Sequence, residues 1–137
     1  MSEKYFLKCF KSFKTYPLDT KSFKCSATGE ICHIKQAINC LDQNIIYVIC
    51  CKKCDTQYVG KTTGTFRARM DAHRSKINCS ADTKLASHFR SRGHSLHHFL
   101  AFPIEKVSGD VFTILARERY WIDRLDVISR GLNTNRT

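Results

Sequence analysis

Two groups of side chains in this sequence have types and spacings suited to chemistry. In the first, apolar residues recur at helical spacing from Phe66 through Met70 to Ile77. A step of about 100° per residue puts Arg69 and His73 inside the same arc. Farther along, Glu118 falls between Leu115 and Ile122 on the inner stripe of a second helix, with Val111, Ile114, Trp121 and Leu125. Charged groups at core-facing positions are costly unless paired or engaged with a ligand. An internal Arg69–Glu118 salt bridge would satisfy them. So would an active-site floor in which Glu118 holds a divalent cation and Arg69 a phosphate.

The second group is Cys51-Lys52-Lys53-Cys54 with His88 and His94, the two imidazoles separated by five residues around a helix end. C-x2-C at a hairpin turn plus H-x5-H makes the closed tetrahedral ligand set of a structural zinc site, with His97 and His98 as substitutes at a strand start. Cys25, Cys32, His33 and Cys40 match no common finger spacing. Cys40 and Cys50 read as small core residues, and Cys79 as a loop residue.

The rest of the chain must position these groups. Its 137 residues are 42% hydrophobic, enough for one compact domain with a core. The net charge of +11, from 23 Lys+Arg against 12 Asp+Glu, points to a polyanionic partner, nucleic acid first. Eight cysteines would fit a disulfide scaffold behind a secretory signal. Met1 to Phe13 alternates Lys with apolar residues and has no apolar h-region, so the expectation is an intracellular, nuclear or other reducing setting rather than secretion. No apolar run approaches the length of a membrane span.

Residues 1–41 show no sustained period and read as a basic arm or connector, with the folded domain over 42–137. From Asn44, Ile45, Tyr47 and Ile49 alternate with Ile46, Val48 and Cys50, a strand apolar on both faces. After the turn at Cys51 to Asp55, the stretch from Thr56 to Gly60 reads as its hairpin partner. Thr62 to Thr65 supplies capping residues for a helix from about Thr65. A shorter helix follows from Asp82 to about Arg90, with Gly93 beyond its end. His97 to Val107 contains Pro103 and reads as an edge strand, and Asp110 caps the long helix. The expected fold is α+β: a small three-stranded antiparallel sheet flanked by helices, with a zinc knuckle.

Five short motifs in order give this frame a family likeness. Ile45-Ile46-Tyr47, Tyr58-Val59-Gly60, Arg69 to His73, Arg117 to Ile122 and Gly131-Leu132-Asn133 resemble the motif series of the GIY-YIG nucleases, over Asn44 to Asn133. Ile45 stands where the first motif has glycine. The resemblance implies a DNA endonuclease using Mg2+ or Mn2+. Glu118 would be the metal ligand, Arg69 the phosphate clamp, and Tyr47 and Tyr58 the paired tyrosines, one of which helps deprotonate the attacking water. Lys61 would face the phosphate, His73 would support a tyrosine proton, and Asn133 would brace the site. On residue type alone, either tyrosine is equally a strand aromatic in the core.

The set Cys51, Cys54, His88 and His94 resembles the Cys-Cys-His-His feature of endonucleases attached to Penelope-like retroelements. That likeness implies nicking of target DNA beside a fused or associated reverse transcriptase. A structure-selective repair nuclease and a non-catalytic, zinc-stabilised DNA-binding module are the alternatives.

Overall fold

A computed structural model describes residues 17–134. The first sixteen positions of the expected arm, and 135–137, lie outside the described residues. The elements in chain order are β1 (Ser22–Lys24), β2 (Ile31–His33), β3 (Gln43–Cys51), β4 (Gln57–Thr65), α1 (Phe66–Asn78), α2 (Lys84–Arg90), a 3-10 turn at Leu96–His98, β5 (Phe99–Lys106) and α3 (Val111–Leu125). The main sheet runs β4-β3-β5, antiparallel throughout. This is the expected α+β arrangement, with a three-stranded antiparallel main sheet and three helices among the described residues.

β3 is the central strand because both of its faces are apolar. Ile45, Tyr47, Ile49 and Cys51 enter one core with Phe66, Met70 and Ile77 of α1 and with Leu85, Ala86 and Phe89 of α2. Ile46 and Val48 enter another with Ile114, Trp121, Ile122 and Leu125 of α3. Pro103 is tolerated because, among the described residues, β5 pairs only with β3, and a register shift falls between Ile46 and Tyr47 on the facing strand. The helices start where side chains replace missing backbone acceptors: Thr65 receives Ala68 N–H, Thr83 receives Ala86 N–H, and Asp110 receives Thr113 N–H.

Three expectations shift. β4 runs through to Thr65 rather than stopping near Gly60, α2 begins at Lys84 rather than Asp82, and the stretch from His97 opens with a 3-10 turn before β5. The larger difference lies within the stretch expected to be an arm, where β1 and β2 form a hairpin. Phe23, Cys25 and Cys32 are buried with Phe102, Trp121 and Leu125. The buried amide of Gln57 fastens this hairpin to β4: its Nε2 donates to Lys24 O at 2.9 Å and its Oε1 accepts from Ser26 N at 3.0 Å.

Candidate active site and metal centre

The active-site candidates converge where α1 and α3 approach β4 from opposite faces of the sheet. Tyr47 and Tyr58 come from β3 and β4, Arg69 and His73 from α1, Glu118 from α3, and Asn133 from the segment that follows α3. A cleft of about 350 Å³ is lined by Tyr58, Arg69, His73, Glu118 and Asn133, with Lys76, Asp82, Thr83, Lys84 and Leu85 on its α1–α2 side. Tyr47 lies behind it, fully buried.

Gly60 makes that arrangement possible. It sits opposite Tyr47 in the β3–β4 register, and a Cβ there would overlap the ring at Cζ and the hydroxyl. The glycine of the second motif is therefore a packing requirement set by the tyrosine of the first.

The Tyr47 hydroxyl lies 2.6 Å from His73 Nε2 and accepts from Arg69 Nε at 3.2 Å. Burial, then the Arg69 and Lys76 charges, push His73 down to about 3, so it is neutral near pH 7. The neutral imidazole and the Tyr47 hydroxyl share this hydrogen bond, with the donor set by the His73 tautomer. Burial, with the nearby Tyr58, pushes Tyr47 well above its ordinary value. Tyr58 is also raised by burial, but less freely, because the Arg69 charge and hydrogen bonds from Tyr47 and Arg69 oppose the rise. The rings of Tyr47, Tyr58 and His73 form one cluster, each centroid between 5.6 and 6.4 Å from the others.

His73 has a measurable pH signature. Its folded value of about 3 lies below the ordinary 6.5, so below that point the unfolded chain binds a proton that the folded chain refuses. Stability from this group is intact above the ordinary value and falls as pH drops toward 3, by up to about 1.4 kcal/mol per pH unit. Denaturant melts between about pH 7.5 and 4.5 should show His73→Gln losing less stability than the parent across this window. Equal slopes would mean that His73 titrates normally.

Glu118 is buried, and its Oε1 has no hydrogen-bond partner among the described residues. Burial raises its carboxyl, against the opposing charges of Lys61, Arg69 and Arg119. The salt bridge weighed for Arg69 is not among the ion pairs of the described residues, and the Arg69 Nε is spent on Tyr47. Buried polar atoms are ordinarily satisfied, so an orphaned carboxylate oxygen at a cleft wall fits a cation ligand. The next turn is clamped: Glu105 of β5 accepts from Arg117 Nε and Nη2, each at 2.8 Å, and from Trp121 Nε1 at 2.9 Å.

Lys61 is half-buried on β4 and does not line the cleft, though Glu118 feels its charge. Asn133 holds the outer edge of β4: its Oδ1 accepts from Val59 N at 2.9 Å and its Nδ2 donates to Val59 O at 2.8 Å. The side-chain amide thus mimics one rung of a neighbouring strand. Gly131 permits that approach, because a Cβ there would meet Gln57 O and Val127.

The model of the GIY-YIG catalytic domain matches residues 43–127. The chain belongs to the GIY-YIG family. None of the curated proteins compared with it matches. Among solved structures, this GIY-YIG domain resembles the catalytic domain of the homing endonuclease I-TevI, with 23% identity over 68% of this chain and 99% of that one and a TM-score of 0.60. It also resembles a substituted form of the same intron endonuclease domain, with 23% identity over 69% and 96% and a TM-score of 0.61. As a GIY-YIG domain the chain is a nuclease acting on phosphodiester bonds. Ile45, the departure in the first motif, is fully buried in the central strand, where a larger apolar side chain adds to the core.

Outside the cleft, Cys51, Cys54, His88 and His94 come together as the sequence spacing predicts, their ligand atoms all within 4.8 Å of one another. Tetrahedral zinc with bonds of about 2.0–2.3 Å spaces its ligand atoms by roughly 3.5 Å, and Cys54 Sγ lies 3.4 Å from His88 Nε2. His94 Nε2 is buried with no hydrogen-bond partner among the described residues. Burial opposes ionisation of Cys54, but hydrogen bonds led by the Thr56 side chain and backbone outweigh it and bring the thiol to about 7. The donor set therefore fits a soft or borderline cation. His98 is used differently, its Nδ1 accepting from Ser95 N at 3.1 Å.

Cys25, Cys32, His33 and Cys40 form no such group among the described residues. No described helix is long and apolar enough to cross a membrane. Sequence reasoning passed over Lys76, Asp82, Thr83, Lys84 and Leu85 as cleft residues. For Lys76 the signal was present, seven positions beyond Arg69 and three beyond His73 on one helix face.

Proposed function

We propose that this domain is a metal-dependent DNA endonuclease of the Penelope-like retroelement type, nicking target DNA beside a fused or associated reverse transcriptase. The observation that carries the nuclease site is Glu118, a buried carboxylate with an unpartnered oxygen in a cleft that also presents Arg69 and Tyr58. The Cys51, Cys54, His88 and His94 group supports the retroelement subtype and would hold a structural Zn2+. The domain would act inside the cell, in or with access to the nucleus.

Glu118 would hold Mg2+ or Mn2+. When bound, such a cation polarises a phosphoryl oxygen and offsets charge on the leaving group. Arg69 holds the scissile phosphate, with Lys61 adding positive potential from β4. Of the two tyrosines, Tyr58 lines the cleft and meets the attacking water, whereas Tyr47 acts from behind it. The attacking water gives its proton to the Tyr58 oxygen while the Tyr58 hydroxyl passes its own proton by way of Tyr47 to the neutral His73, whose Nε2 lies 2.6 Å from the Tyr47 hydroxyl. The phosphate anion also offsets the Arg69 charge that adds to burial in holding His73 neutral. Asn133 keeps β4, and therefore Tyr58, in place.

Incubation of supercoiled plasmid with the protein and Mg2+ or Mn2+ tests the reading. Conversion to open circles is expected, with Tyr58→Phe slowed more than Tyr47→Phe. A mobility shift without cleavage would establish the non-catalytic binding module instead.

A further inference from the structure

The wall of the cleft formed by α1 and α2 carries two lysines for which the mechanism above has no use. Lys76 follows His73 on the Arg69 face of α1, and Lys84 opens α2 across the loop from it; both line the cleft. Neither enters an ion pair or a side-chain hydrogen bond among the described residues. The neighbouring hydroxyl of Thr83 is already spent on Ala86 N at 3.1 Å.

The charge in this cleft is unbalanced. Arg69, Lys76 and Lys84 face Asp82 and Glu118, and the Lys76 charge reaches deep enough to depress His73. A cation on Glu118 would leave Asp82 as the remaining acid. The positive excess then exceeds what one scissile phosphate at Arg69 can offset. Lys76 lies seven residues from Arg69, about 10 Å along the helix axis. Side chains leaving the helix that far apart can hold successive phosphates, and a DNA strand carries one every 3.4 Å or so of its axis.

We propose that Lys76 and Lys84 form a second phosphate-binding subsite, which takes a backbone phosphate within about three nucleotides of the one held by Arg69. The inference rests on reading the cleft as a DNA site and adds the direction in which the strand leaves it: along α1, over the start of α2. A phosphate there fixes the register of the strand and so places the scissile bond, without touching the reacting atoms. Lys76 and Lys84 are positioning residues in this sense.

The test uses the full chain and a short fluorescent DNA duplex, with affinity measured across a salt series. Lys76→Gln/Lys84→Gln should weaken binding and reduce the slope of log K against log salt by about 0.9 for each lost contact. Its KM for cleavage should rise several-fold with kcat largely kept. Lys76→Arg/Lys84→Arg should restore the slope, since either cation binds phosphate. A charge-matched control, Lys21→Gln/Lys35→Gln, removes two lysines that line a different cavity. If the Lys76/Lys84 variant matches that control in slope and KM while the parent binds and cleaves, the subsite is overturned and the nuclease reading stands. A parent that does not bind DNA overturns both.

Discussion

Glu118→Gln should reduce plasmid nicking by a hundredfold to a thousandfold or more, while the protein melts at or above the parent temperature. The two halves of that expectation come from one observation. Glu118 is buried with Oε1 unpartnered, so the charge at this position costs folding energy instead of supplying it. Its carboxyl is raised by burial, against Lys61, Arg69 and Arg119, as expected of a site that waits for a cation. The amide keeps the shape and removes the charge that would hold the metal. DNA binding without metal should persist or tighten, because a carboxylate no longer faces the phosphate.

A structural ion pair predicts the reverse. Removing one partner of a buried pair leaves the other uncompensated, at a cost of about 3–5 kcal/mol. Arg69 instead directs its Nε to the Tyr47 hydroxyl. Thermal melts and nicking assays on the same preparation separate the accounts. A Glu118→Gln protein that nicks at the parental rate would remove Glu118 from the mechanism. One that melts well below the parent would return it to the structural account.

What the sequence made legible follows from which physical signals are local. The double-faced alternation around Tyr47 predicts a central strand, and β3 is one. Thr65 and Asp110 predict helix starts because an N-cap needs only its own side chain and the next turn. Arg69, His73 and Glu118 stand out because they break an apolar helical stripe. His73 and Glu118 are buried.

The hairpin of β1 and β2 has no such signal. Strands of three residues are too short to show a period, and what forms them is distant: the core around Trp121 and the side-chain amide of Gln57. The tail from Gly131 to Asn133 likewise shows no pattern, because its pairing with β4 runs through one side chain and one backbone amide. The roles of the two tyrosines were equally out of reach. Tyr47 pairs opposite Gly60, and Tyr58 opposite Ile49, a register that places one hydroxyl behind the cleft and the other in it.

Metal removal should be the other large effect. Protein purified without chelator should carry about one equivalent of zinc, and chelation should lower its melting temperature sharply, whereas Cys54→Ser should start low and respond little. The reason lies in α2. Seven residues make less than two turns, too short to hold a helix on backbone hydrogen bonds alone. Leu85, Ala86 and Phe89 bury one side of it, and His88 with His94 brings its far end to the β3–β4 turn at Cys51 and Cys54. Without a cation those four groups become a buried thiol, a thiol near 7 and two crowded imidazoles, one with an unpartnered nitrogen.

Zinc-finger peptides draw about 10–16 kcal/mol from such a site. This domain has a core of its own, so it should loosen around α2 rather than unfold. Limited proteolysis should then cut first between Asn78 and Ser95. The start of α2 forms one wall of the cleft, so the loosened protein should also show a raised KM. Zinc-free protein from a chelator-free preparation, or a melting temperature indifferent to chelation, would leave the four ligands as an ordinary cluster of polar side chains.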